Sequence, residues 1–116
     1  DACTGPCLFD LAVCIIGCCY SDGTNEMDFV RFESLLRGYN AVRALEDVEL
    51  AHLLPFMRLA LLCNCTWRFY NFNVSHREFR ESHGGAFEEL HDRIVSLETI
   101  KVLEKLVKIA ARATGR

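Results

Sequence analysis

Apolar residues recur every three or four positions along most of this 116-residue chain, and this spacing limits the folds that it can adopt. The clearest stripe comprises Phe87, Leu90, Ile94, Leu97, Ile100, Leu103, Val107 and Ala110. Steps of three or four place residues on one face of an α-helix, whereas a half-buried strand needs strict alternation. No segment of the sequence shows a valine, isoleucine and threonine alternation. The pattern therefore predicts an all-α fold.

Helix boundaries follow from the turn signals between the apolar stretches. The predicted helices cover roughly residues 6–19, 26–38, 46–54, 56–72 and 86 onwards. Pro6 suits a first helical turn, whereas Pro55 predicts a kink or a new helix because it lacks a backbone N–H. The segment 73–85 is polar and contains a Gly-Gly pair, which predicts a connector. The helix over 56–72 is apolar on every side, so we expect it to be central and covered by its neighbours.

Length and charge exclude several classes of protein. A chain of 116 residues is one domain at most, and its net charge of −3 gives no reason to expect nucleic acid or an anionic membrane as a partner. We expect no segment to be long or apolar enough to span a bilayer, since the apolar run 11–19 is about half of the roughly 20 residues that a bilayer requires. No basic signal segment is recognisable, so we expect a cytoplasmic protein. Because the chain begins at Asp1, we also expect it to be a piece of a longer protein.

The cysteines predict packing and not metal binding. Seven are present, an odd number, and they do not form two matching CxxC pairs. Cys14 and Cys18 lie one helical turn apart on an apolar stretch, where free cysteine packs as a small hydrophobic residue. We therefore expect reduced thiols, mostly buried, and no metal site.

Two charged residues stand in segments that are otherwise built for burial. Asp10 lies between Phe9 and Leu11, and Arg68 lies in the helix predicted to be central. A buried charge is costly unless it is paired, so each side chain needs a partner. For Arg68 the alternatives are a structural carboxylate, with Asp10 or Glu33 as candidates, and an anionic ligand. No nucleotide-binding, zinc-protease or nucleophile-elbow motif is present. These patterns alone indicate a helical domain with a buried Asp and a buried Arg.

Three stretches resemble the aminoglycoside phosphotransferase-like kinase superfamily. They are Ala2-Cys3-Thr4-Gly5-Pro6-Cys7-Leu8-Phe9-Asp10-Leu11-Ala12, then Leu35 to Tyr39 with Val42 to Leu45, and Leu54 to Phe69. The first resembles the segment that follows the metal-binding motif of these kinases. The others are similar to their homoserine-kinase-like branch. The resemblance covers residues 1 to about 98, and the basic segment 99–116 matches nothing in the family.

The resemblance implies a domain organisation and a reaction. Residues 1–98 would be part of the helical C-terminal lobe of a protein-kinase-like fold, and residues 99–116 a basic helical extension. The parent enzyme would use ATP and magnesium to phosphorylate a hydroxyl acceptor, with homoserine (threonine biosynthesis) favoured over choline, an aminoglycoside or a sugar. An N-terminal ATP-binding lobe would be the partner of this stretch. A non-catalytic helical interaction module is the alternative from another class.

The resemblance also assigns roles to individual residues. The glycine-rich loop, the lysine and the metal ligand would precede Asp1, so this stretch alone would hold no catalytic residue, ATP or magnesium. Asp10 would support the catalytic loop by accepting hydrogen bonds from it. Tyr20 stands near the position where homoserine-kinase-like sequences often carry a tryptophan. Together with Trp67 and Arg68, it is a candidate for substrate contact.

Overall fold

The structure is a computed structural model that describes residues 6–21 and 23–116, and within these ranges helices are joined by short turns. Its six α-helices are α1 (Cys7–Cys18), α2 (Phe29–Val42), α3 (Asp47–Tyr70), α4 (Arg80–His83), α5 (Ala86–Leu97) and α6 (Ile100–Ala113). A π-helical turn (Asn71–Ser75) and a 3₁₀ turn (Arg77–Phe79) join α3 to α4. No strand forms in the described part, where one isolated bridge joins Tyr20 to Met27. The all-α prediction is confirmed.

Helix α3 has three helical neighbours in the described part of the chain. It packs against α1, α5 and α6, and α6 in turn packs against α2. The main core side chains are Leu11 and Ile15 of α1, Phe32 and Leu36 of α2, Leu53, Met57 and Leu61 of α3, Leu90 and Leu97 of α5, and Leu106 of α6. The predicted face of α2 is confirmed, since Phe32 and Leu36 are buried while Phe29 and Tyr39 pack at its edges. Burial of these apolar faces stabilises the helices more than propensity does.

Helix α2 begins three residues later than predicted because the chain before it is held in a hairpin-like turn. The backbone N–H groups of Ser21 and Asp28 donate to the carbonyls of Glu26 and Cys19 at 2.8 and 2.7 Å. Asp28 then caps the helix, since its Oδ1 accepts from the N–H groups of Val30 and Arg31, each at 3.1 Å. The cap satisfies backbone donors that have no partner within the helix.

Of the two alternatives predicted at Pro55, a new helix does not begin there: α3 runs through the proline as one 24-residue helix. A proline inside a helix removes the hydrogen bond to the carbonyl four residues earlier. Here that carbonyl belongs to Ala51, and both Ala51 and Pro55 are on the exposed face. Water can therefore solvate the carbonyl, which lowers the cost of the missing bond.

The prediction that the helix over 56–72 is covered on every side is wrong for its second half. Beyond Leu61, α3 has no buried residue, and Trp67 and Tyr70 are 59% and 58% exposed. The neighbours are too short: α1 and α5 have 12 residues each against 24 in α3. Helix α5 contacts the second half on one side, through Cys65, Arg68 and Phe69. By length and composition alone, the segment Asp47–Ser75 would suffice to cross a bilayer, so the expectation that no segment is long and apolar enough is wrong.

The predicted last helix is in fact two helices, with a break at Glu98 and Thr99. The break changes the phase of the apolar stripe. Leu90 and Leu97 are buried as predicted, but α6 buries Leu106, Ile109 and Ala113 and leaves Val107 57% exposed. Glu98 is held by Arg58 of α3, with 2.6 Å between Oε1 and Nε. The predicted connector 73–85 consists largely of short helical turns.

Most of the described cysteines are exposed, so the expectation of burial is wrong. Among the six that the structure describes, all are free thiols and only Cys19 is buried. Cys7, Cys14 and Cys18 lie on an exposed side of α1, because their spacing of seven and four places them together, opposite the buried Ala12 and Ile16. Cys3 lies outside the described residues.

Candidate functional site

Asp10 lies on the outward face of α1 and is exposed, which corrects the expectation that it is buried. The apolar neighbours Phe9 and Leu11 point elsewhere: Leu11 is buried, and Phe9 packs edge-to-face on Phe56 with ring centroids 6.1 Å apart. Within the described residues no hydrogen bond or ion pair involves the Asp10 carboxylate. The rest of this face comprises Cys7, Val13, Cys14, Gly17 and Cys18. We call these six residues the α1 face.

Arg93 of α5 forms the centre of a polar cluster that joins three parts of the chain. It is only 7% exposed. Its guanidinium donates to the carbonyl of Ile16 at 2.9 Å, to Oε1 of Glu89 at 2.6 Å and to Oδ1 of Asn25 at 3.4 Å. The Ile16 carbonyl is one of the last four of α1 and has no helical partner, so Arg93 caps that helix end and complements its dipole.

Tyr20 packs beneath this cluster. The Arg93 guanidinium carbon lies 5.1 Å from the centre of the Tyr20 ring, a cation–π distance. Tyr20 is 3% exposed, and its hydroxyl is a buried polar group with no hydrogen-bond partner among the described residues. Burial raises the pKa of the phenol to about 12, although the nearby Arg93 charge acts in the opposite direction. The ring therefore stays neutral over the physiological range.

Arg68 joins the cluster through Glu89. Its Nη1 donates to Glu89 Oε2 at 2.9 Å and to the Ala86 carbonyl at 3.1 Å. Glu89 thus bridges two arginines, one in α3 and one in its own helix. The partner of Arg68 is a structural carboxylate, as one alternative held, but it is neither Asp10 nor Glu33. Arg68 and Arg93 together outnumber the single carboxylate between them, so the cluster carries a net positive charge.

Glu33 is instead the link between α2 and α6. It accepts from Arg37 at 2.7 Å and, through both carboxylate oxygens, from Arg112 at 3.0 and 2.6 Å. Hydrogen bonds from Arg112 and then Arg37 lower the pKa of Glu33 to about 2.

Trp67 lies outside the Arg93 cluster. It contacts Phe72 edge-to-face, with centroids 6.1 Å apart, and lines a shallow apolar depression with Leu62, Cys63, Thr66 and Tyr70. The structure therefore brings Tyr20 and Arg68 into one cluster and leaves Trp67 and Asp10 apart from it. Within the described ranges, no three His, Cys, Asp or Glu side chains converge on a possible metal position.

Sequence reasoning missed Arg93 and Glu89. Arg93 carried a usable signal: it follows Leu90 by three positions and precedes Leu97 by four, which places a charged residue on the apolar face of α5. A charged residue in a core stripe is expected to be paired when buried. Glu89 carried no such signal, because it stands among other acidic residues on the polar side.

Comparison with known proteins gives a partial match. The chain is 39% identical over 66 residues to homoserine kinases of Cupriavidus taiwanensis and Cupriavidus metallidurans, and 38% identical to that of Cupriavidus necator. Each match covers 54% of this chain but only 20% of the relative, so the chain spans about a fifth of the length of these proteins. No family model matches, and no solved structure is significantly similar. Over about half of its length, the chain is similar to homoserine kinases.

Proposed function

We propose that this chain is a helical C-terminal part of a cytoplasmic, ATP-dependent kinase that phosphorylates the hydroxyl group of homoserine. The observation that carries the proposal is the 39% identity to homoserine kinases over 66 residues. The match covers a fifth of those relatives, so the parts that bind nucleotide and metal would lie elsewhere in the parent protein. ATP would supply the phosphoryl group and magnesium would neutralise its charge.

The α1 face is the surface on which we place the catalytic part of the parent. Charged side chains normally cover the outer face of a surface helix, yet this face carries cysteines, a valine and a glycine around the single carboxylate of Asp10. A face of this composition is suited to burial against another part of the protein. Asp10 would then accept hydrogen bonds from the catalytic loop, as the resemblance implies, and position that loop without contacting the reacting atoms.

The polar cluster around Arg93 would hold α1 in the position that this arrangement requires. It ties the C-terminal end of α1 to α5 through Ile16, and to α3 through Glu89 and Arg68. Since α1 carries Asp10, a firmly held α1 keeps the docking surface in place. Of the three residues proposed for substrate contact, Tyr20 is buried, so only Trp67 and Arg68 are placed where a small molecule can reach them.

A coupled ADP-release assay on the full-length protein tests the activity. Homoserine should give turnover, whereas choline, an aminoglycoside and a hexose should give little or none. Turnover with one of these other acceptors in place of homoserine would keep the kinase and refute the substrate. No ADP release with any acceptor would favour the non-catalytic interaction module.

The role of Asp10 is tested by Asp10→Asn in the same full-length protein, with Cys14→Ser on the same face as the control. A charge-assisted hydrogen bond contributes about 1.5–3 kcal/mol, which corresponds to about a 10- to 150-fold loss in kcat. The melting temperature should change little, because the amide has nearly the same volume as the carboxylate. Equal kcat values for the two variants would show that Asp10 does not position the catalytic loop.

A further inference from the structure

A cavity of about 330 Å³ opens between α2, α3 and α6, away from the α1 face and the Arg93 cluster. Its lining is mainly apolar and includes Phe32, Leu53, Leu106, Ala51, Ala110 and Ala111. Phe32, Leu53 and Leu106 are fully buried core side chains, and they form the floor of the cavity. The three alanines leave the space empty where larger side chains would fill it. The volume is about twice that of an engineered 150 Å³ cavity that binds benzene, and it lies at the lower end of natural ligand pockets.

Two opposite charges stand at the mouth of this apolar cavity. Arg116 donates from Nε to Asp47 Oδ1, and its two terminal nitrogens donate to the carbonyls of Leu45 at 2.8 Å and Thr114 at 3.3 Å. These bonds use three of the five N–H groups of a guanidinium, so two remain for a ligand carboxylate. Asp47 is 90% exposed, and its second carboxylate oxygen is open to a ligand ammonium group. The ion pair is solvated at the surface, so a ligand can insert beside it at little cost.

We propose that this cavity binds a free α-amino acid with an apolar side chain of about the size of leucine or phenylalanine. The carboxylate of the ligand would bind Arg116, its ammonium group would bind Asp47, and its side chain would enter the space bounded by the alanines. An apolar acid satisfies only Arg116 and an apolar amine satisfies only Asp47. Only the zwitterion complements both charges while filling the cavity. The proposal rests on this cavity and does not depend on the kinase activity.

Isothermal titration calorimetry of the full-length protein with L-leucine and L-phenylalanine tests the proposal. At least one should bind saturably below about 10 mM, and glycine should not, because it has no side chain for the cavity. 4-Methylpentanoate and isoamylamine have the side chain of leucine with one charge each. Each should bind at least about tenfold more weakly than leucine, since one charge-assisted contact is lost.

Two variants locate the binding site. Arg116→Gln should weaken amino-acid binding at least about tenfold, and Ala110→Leu should abolish it by filling the cavity. Arg112→Gln is the control: it removes an arginine of α6 that pairs with Glu33 and does not line the cavity, and it should bind as the wild type does. Far-ultraviolet circular dichroism confirms folding of each variant. The proposal is overturned if neither amino acid binds saturably, if the acid or the amine binds as tightly as leucine, or if Arg116→Gln leaves affinity unchanged.

Discussion

Replacing Arg93 by methionine tests whether its polar cluster holds α1 in place. Methionine keeps most of the side-chain length and apolar volume but removes every donor. The carbonyl of Ile16 would then be left buried without a partner, which costs about 1–3 kcal/mol. Loss of the cation–π contact with Tyr20 adds about 0.5–2 kcal/mol. Glu89 is 45% exposed and keeps its ion pair with Arg68, so losing the ion pair between Arg93 and Glu89 costs little stability.

These terms are not strictly additive, and together they predict a loss of about 2–4 kcal/mol in the free energy of unfolding. The unfolding equilibrium constant should rise by about 30- to 900-fold. Urea titration followed by circular dichroism measures it. Arg68→Met is the matched control, because it removes the other arginine of the same carboxylate and leaves Ile16 capped; it should cost under about 1 kcal/mol. Equal losses for both variants would refute the capping role of Arg93.

Three further predictions concern Glu33, the cysteines and the core. Because the folded-state pKa of Glu33 is lowered from 4.5 to about 2, the stability that it contributes is present above pH 4.5 and is lost as the pH falls toward 2. The urea midpoint of Glu33→Gln should therefore fall less over that range than that of the wild type; equal falls would contradict this. In native alkylation followed by mass spectrometry, exposed Cys63 should react rapidly and Cys19 much more slowly, since burial raises the Cys19 pKa to about 12. Rapid labelling of Cys19 would contradict its burial. Met57→Ala should cost about 2–5 kcal/mol in urea unfolding, against under about 0.5 kcal/mol for half-exposed Leu59→Ala, and similar costs would place Met57 outside the core.

Local periodicity predicted the helices well where one face packs against a neighbour. Phe32 and Leu36 of α2, and Leu90 and Leu97 of α5, were identified from their spacing because burial on one face leaves that spacing in the sequence. The interruption at Glu98 could not be predicted in this way. It depends on how α6 must turn to reach α2, and the apolar residues on both sides continue the same pattern.

The candidate site was harder to predict because its partners are far apart in the sequence. The need of Arg68 for an anionic partner was predictable from its apolar surroundings, but its choice of Glu89 depends on the antiparallel packing of α5 on α3. The apolar composition of α1 and of the second half of α3 was interpreted as burial. In this chain both helices expose much of that surface, since composition indicates that a face is suited to burial and not which partner covers it.

The bond between Arg93 and Ile16 also constrains the order of events during synthesis. The two residues are 77 positions apart, so the end of α1 is made long before its cap. At a translation rate of about 5–20 residues per second, Arg93 is synthesised about 4–15 s after Ile16. During that interval α1 and its apolar residues have no α5 to anchor them. The nascent chain is therefore most vulnerable to aggregation before α5 emerges, and a pause in translation before residue 93 would prolong that period.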